Sequence, residues 1–138
     1  MKKVVQLESK PLGIDVEKMF SEYDRGDVLS SNCPSREIMK HITSRWGIMV
    51  FVALRDGENR RFSYLRRRLE GVSEKMLAQT LKQLEGDGLV ERTVYPVVPP
   101  HVEYKLTDLG QEACQKVLEL VCWIEGNTMN IMKQKLGS

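Results

Sequence analysis

Lys75, Ala78, Gln79 and Lys82 fall close together in the chain, at a spacing that lines them along one side of an α-helix. On a wheel of about 100° per residue with Leu77 at zero, Ala78 lies at roughly 100°, Lys82 at 140°, Lys75 at 160° and Gln79 at 200°. Leu81, Leu84 and Thr80 occupy the opposite stripe with Leu77, and Met76 stands at its edge. The outer face has the chemistry of a nucleic-acid reader. Lysine neutralises phosphate or donates to guanine, glutamine makes two hydrogen bonds to adenine, and alanine leaves room for a thymine methyl. Glu74 and Glu85 lie toward the flank. Shortly before this helix come Arg66, Arg67 and Arg68, with Arg67 directed most squarely away from Leu65 and Leu69. Cations so placed grip phosphates and set register without reading sequence. Arg92, His101 and Lys105 are candidates for the same work further on. His101 reads equally well as a surface loop residue, and an arbitrary basic cluster reads first as a solvated helix face. Between Arg60 and Lys82, however, seven Lys/Arg stand against two Asp/Glu, and residues 33–105 carry a net +4 while each flank carries −1. The positive charge collects where the candidate residues are.

These side chains need elements to carry them. Ser63 is expected to cap a short basic helix, Glu70-Gly71-Val72 to turn the chain, and Ser73 to cap the next helix. That helix should stop near Gly86-Asp87-Gly88. Two strand-like runs follow, Leu89 to Val94 and Val102 to Leu106, separated by the Pro-rich tip YPVVPPH. Helix, turn, helix and hairpin in that order describe a winged helix-turn-helix. Upstream, Pro34 suits a first helical position, with Ile38, Met39 and Ile42 on one face. Trp46-Gly47 reads as a break, Ile48 to Leu54 as a buried helix, and Asn59 to Phe62 as a possible short strand. Near the N-terminus, Val16, Met19, Phe20 and Tyr23 recur at helical spacing between Asp15 and Gly26. Thr107-Asp108 should cap a final helix whose broad apolar stripe runs from Leu109 to Ile124 and ends or kinks at Gly126-Asn127. The expected class is mostly α with a small β-hairpin. Its expected divisions are an N-terminal extension with a short helix (1–32), the winged helix-turn-helix (33–107) and a C-terminal dimerisation helix and tail (108–138). The apolar stripe of the final helix exceeds what one small body buries, and the N-terminal helix can pack beside it as a second dimerisation element.

Composition narrows the function classes. The chain has 138 residues and is 41% hydrophobic, enough for one core. No apolar run approaches the roughly 18 residues needed to span a bilayer, and MKKVVQLESK lacks the apolar centre of a secretory signal. Three cysteines without close spacing make no disulfide framework, so a reducing cytoplasm is the expected compartment. No phosphate loop, nucleophile elbow or Ser/His/Asp arrangement is present, and neither His41 nor His101 has an evident carboxylate partner. His41 is expected to bond locally. An enzyme is not expected, nor any cofactor, and no Cys-x-x-Cys or His pair suggests a metal.

Cys33 precedes Pro34, so its thiol sits at a helix N-terminus, where partial positive charge favours thiolate. Arg36, one turn on, adds to this if turned inward. An accessible thiolate suits an oxidant or electrophile sensor; the alternative is a small inert residue packed by a dimer. Cys114 and Cys122, about 80° apart on the final helix, are both expected to face the core or a dimer seam.

Residues Cys33 to about Leu118 resemble the HxlR-type winged-helix family of bacterial transcription regulators. The resemblance is carried by Cys33-Pro34, by Lys40 to Leu54 with Trp46-Gly47 inside, by Arg61-Phe62-Ser63-Tyr64-Leu65-Arg66, and by GVSEKMLAQTLKQLEGDGLVERTVYPVVPPHVEYKLTDLG from Gly71 to Gly110. It is particularly similar to the quinone-responsive branch, including the regulator adjoining a quinone oxidoreductase gene in enteric bacteria. The first 30 residues and the last 15 lie outside the resemblance, and the long N-terminal extension departs from the usual pattern. The resemblance implies a homodimer on a palindromic double-stranded operator, repressing or activating nearby genes, with Cys33 as the redox or electrophile sensor. A winged-helix protein-interaction module, or a regulator of non-covalent small ligands, are the alternatives.

Overall fold

The computed structural model describes residues 27–137; the helix expected between Asp15 and Gly26 lies outside them. The elements run α1 (Pro34–Thr43), α2 (Arg45–Ala53), β1 (Arg60–Arg61), α3 (Phe62–Arg68), α4 (Glu74–Gly86), β2 (Val90–Tyr95), β3 (His101–Leu106) and α5 (Asp108–Gly137). The chain divides into two compact units between Lys40 and His41. In the described part of the first, a turn from Asp27 leads into α1, with Ser30 N–H on the Asp27 carbonyl and Cys33 N–H on that of Ser30.

The second unit is a winged helix-turn-helix. Its three strands form an antiparallel sheet in the order β1-β3-β2. Val90 stands opposite Leu106 and Tyr95 opposite His101, while Arg60 and Arg61 pair with Tyr104 and Glu103. The core joins Val50, Phe51 and Leu54 to Leu65, Leu69 and Val72, to Leu77, Leu81 and Leu84 of α4, and to Leu89, Val90, Tyr104 and Leu106 of the sheet. Cys114 and Val117 of α5 close it, the Cys114 thiol donating to the Phe51 carbonyl at 3.4 Å. Each leucine buried so completely contributes about 1.5–3 kcal/mol of transfer free energy. The wheel-derived stripe of Leu77, Thr80, Leu81 and Leu84 is the buried set of α4.

Local signals fix the ends of α4. The Ser73 hydroxyl accepts from Met76 N–H at 3.0 Å. At the other end Gly88 N–H bonds the Glu85 carbonyl and Leu89 N–H that of Leu84, the paired bonds of a Schellman stop. Gly88 supplies the positive φ of 77° that the stop requires. In the turn between α3 and α4, Gly71 does the same with φ 94°.

Several boundaries depart from expectation. The break between the first two helices falls at Ser44, ahead of Trp46-Gly47: the Ser44 hydroxyl donates to the His41 carbonyl and accepts from Gly47 N–H. Gly47 is needed there because a Cβ would collide with the His41 carbonyl. Ser63 does not cap α3. Strand β1 runs straight into that helix, and Arg61 is its N-cap residue without a side-chain bond. The final helix passes through Gly126-Asn127 unbroken for 30 residues. Asn127 and Thr128 donate to the carbonyls of Trp123 and Ile124 one turn back, bonds made within a continuing helix. Its start is as expected, Thr107 accepting from Gly110 N–H while donating to the Gly88 carbonyl.

Candidate nucleic-acid interface

The buried stripe of α4 leaves its opposite face in solvent. Lys75, Ala78, Gln79 and Lys82 are all exposed there, as is Ser73 at the cap. A 13-residue helix is roughly 20 Å long, enough to lie in a major groove about 12 Å wide. The face offers lysine ammonium groups and one amide, which can both donate and accept, and Ala78 creates a gap between them.

Helix α3 puts a denser charge beside it. Arg66, Arg67 and Arg68 are all exposed and form its last turn, where the negative end of the helix dipole favours cations. Phe62, Ser63, Arg66, Arg67 and Glu74 line an open depression of about 400 Å³. Glu74 accepts from Arg66 at 3.4 Å. Both partners are substantially solvated, so the pair adds little stability; its effect is to orient Arg66 along the depression. Ser63, displaced from its expected capping role, lies in this wall instead.

The hairpin holds the remaining candidates. Arg92 is exposed on β2 and Lys105 half-buried on β3 opposite Glu91. His101 belongs to β3 itself, one residue before the expected start of the strand. Its ring stacks on Tyr95 with centroids 4.9 Å apart, and its Nε2 donates to Glu103 at 3.0 Å. The expectation that neither histidine has a carboxylate partner is therefore corrected at both. Nδ1 of His41 donates to Oδ2 of Asp87 at 2.7 Å, with both side chains largely shielded from solvent, a bond spanning 46 residues rather than a local one. Glu103 was legible, since residues two apart on a strand share a face. Asp87 was not.

Cys33 is half-buried and immediately precedes α1. Its sulfur shares a hydrogen bond of 2.9 Å with the Ser35 hydroxyl. Arg36 is directed elsewhere, donating to the Leu29 carbonyl at 3.0 Å. Cys114 is buried, and burial pushes its thiol above the ordinary value of 9.0. Cys122 is exposed on the single chain, outside the core, which leaves the dimer seam of its two expected places. Among the described residues no cluster of three His, Cys, Asp or Glu side chains is placed to hold a metal. None of their helices is long and apolar enough to cross a membrane.

A family model described as an HxlR-like helix-turn-helix matches residues 41–132. The chain is 56% identical over 114 residues to YtfH of Escherichia coli K12, an uncharacterised HTH-type transcriptional regulator, covering 83% of this chain and 90% of that one. The solved structure of the ytfH putative transcriptional regulator from Salmonella typhimurium is also 56% identical, with a TM-score of 0.77 over 80% of this chain and 98% of that one. The redox regulator HypR in its oxidised form is 38% identical, with a TM-score of 0.62 over 69% of this chain and 97% of that one. With the winged fold and the match over residues 41–132, these relatives identify the chain as a member of the HxlR-like helix-turn-helix family, a DNA-binding transcriptional regulator and not an enzyme.

Proposed function

We propose that this chain acts as a cytoplasmic homodimer that reads a palindromic duplex operator with α4 and switches its grip when Cys33 meets an oxidant or electrophile. The observation that carries the reading is the exposed row Lys75, Ala78, Gln79 and Lys82 on a helix whose other face is the core. In this assignment Gln79 and Lys75 meet base edges while Ala78 sits against a thymine methyl. Lys82, Ser73, Arg66, Arg67 and Arg68 hold phosphates, with Arg92 and His101 doing so from the wing.

The exposed apolar face of α5 supports the homodimer. Of its 30 residues only Gly110, Cys114 and Val117 are buried, while Leu120, Trp123, Ile124, Ile131 and Met132 remain in solvent, Trp123 at 59%. An apolar row of that size marks an association surface, and a twofold pair would set two copies of α4 about one DNA turn, roughly 34–36 Å, apart. On α1, Ile38 and Met39 are likewise exposed.

The redox assignment rests on Cys33 at the start of α1 beside the Ser35 hydroxyl and on the kinship with a redox regulator. With a quinone, the thiol sulfur bonds a ring carbon; the thiol proton and the displaced ring hydrogen end on the two ring oxygens, leaving a hydroquinone adduct and consuming nothing else. A mobility-shift assay on the DNA upstream of the gene and its neighbours, with and without a quinone, tests both halves. Retarded complexes that change on quinone addition, and fail to change in Cys33→Ser, are expected. No retardation at low salt would refute the operator reading; a quinone response intact in Cys33→Ser would refute the sensor.

A further inference from the structure

The 2.7 Å bond between His41 and Asp87 lies outside the DNA-facing row and the thiol. Its position gives it a use. Asp87 is the C-cap residue of α4, and His41 lies in the last turn of α1, so two helix C-termini meet at this contact. A carboxylate at the C-terminus of a helix faces the negative end of the dipole. It is therefore badly placed unless a donor is aimed at it, and the shielded Nδ1–H of His41 is that donor. With the side chains only 12% and 16% exposed, water competes poorly for either partner, and losing the imidazole removes the donor aimed at the Asp87 carboxylate.

Both ends of the bond are anchored. Asp87 sits inside the Schellman stop, its own N–H on the Gln83 carbonyl and its neighbours bonded to Glu85 and Leu84. Leu84 and Leu89 carry that turn into the core. On the other side the His41 carbonyl takes the Ser44 hydroxyl, and Gly47 packs directly against it. The ring thus joins a hydrogen-bonded helix corner to a hydrogen-bonded helix stop. Lys82 and Gln79 lie within the last two turns before that stop.

We propose that His41 and Asp87 are positioning residues for operator recognition: their bond fixes the C-terminal turn of α4 against the end of α1 and so sets how the reading face enters the groove. The inference rests on the assignment of α4 as the reading helix. Its consequence is that the last turn of α1, at His41, bears on the stop of the reading helix. Neither side chain touches DNA in this scheme.

The test compares His41→Ala, Asp87→Ala, the double variant and Asp87→Asn, whose amide oxygen still accepts from Nδ1–H. Fluorescence anisotropy measures each against the operator and against a scrambled duplex, and hydrogen exchange follows the amides of residues 86–89. Each alanine variant should lose about tenfold in operator affinity with little change on scrambled DNA, and the double variant should be no worse than either. Asp87→Asn should recover most of the loss. A purely structural role would lower melting temperature and weaken both duplexes alike. An unchanged operator-to-scrambled ratio in both alanine variants, or no rescue by asparagine in a protein of restored stability, overturns the proposal. Should the wild-type protein itself fail to distinguish the two duplexes, the assignment of α4 fails separately. The joint is then judged by exchange alone: faster exchange at residues 86–89 in His41→Ala upholds it, and unchanged exchange overturns it.

Discussion

Replacing Arg67 and Gln79 separately by alanine distinguishes gripping from reading. Both side chains are exposed on helices whose buried faces carry the core, and alanine is the best helix former, so neither change should unfold the protein. Arg67 projects from α3 into the depression it shares with Arg66 and Glu74. If it neutralises one phosphate per protomer, a dimer loses two contacts, and the slope of log K against log salt falls by about 1.8. Between 50 and 200 mM salt the ratio of wild-type to variant affinity then changes by about 12-fold, on specific and random DNA alike. Gln79 carries no charge, so its removal should leave the slope untouched. It should instead cost about 1–3 kcal/mol of discrimination per half-site, or at least roughly 30-fold across a symmetric operator. Anisotropy titrations at four salt concentrations measure both quantities. A Gln79→Ala variant that keeps full operator preference, or an Arg67→Ala variant with the wild-type slope, would refute the division of labour.

Three further outcomes follow from the packing and the titrating groups. Gly110→Ala should destabilise the fold by about 1–3 kcal/mol, because the added Cβ meets the Leu89 carbonyl; urea denaturation measures it, and a neutral result would contradict the close approach. Cys114 should resist a thiol reagent until the protein unfolds, so native protein should yield at most two reactive thiols of the three; three fast thiols would show the core around Phe51 to be open. The Asp56 carboxyl is held below its ordinary 3.8 by the Glu58 N–H and by Arg60. A depressed folded value contributes stability above the unfolded value and loses it as pH falls through the folded one. The stability gap between wild type and Asp56→Asn should therefore be constant above about pH 5 and shrink below 3.8; a gap that widens in acid would reverse the sign.

Helix α4 was legible because independent local signals agree on it. Ser73 marks its start, Gly88 its stop, and the spacing of Leu77, Leu81 and Leu84 its buried side, so the outward row followed without tertiary information. Where one signal stood alone the reading slipped. Ser63 looks like a cap, but pairing of Arg60 and Arg61 with β3 carries the strand directly into α3. Trp46-Gly47 looks like a break, yet Gly47 is a site of close packing and Ser44 makes the cap. Gly126 looks like a stop, but one glycine costs a helix only about 1 kcal/mol, which the rest of α5 absorbs. Strand β1, two residues long, is too short to show alternation. The partnership of His41 with Asp87 depends on how α1 and α4 pack, and no local pattern announces it.

Methylation footprinting with dimethyl sulfate tests the central claim most directly, because the reagent reports guanine N7 in the major groove, where α4 is assigned. Two clusters of protected guanines about one helical turn apart are predicted on the operator, with protection reduced in each cluster by Gln79→Ala or Lys75→Ala. Bound complexes that leave every N7 as reactive as in free DNA would contradict the assignment of α4 as the reading helix.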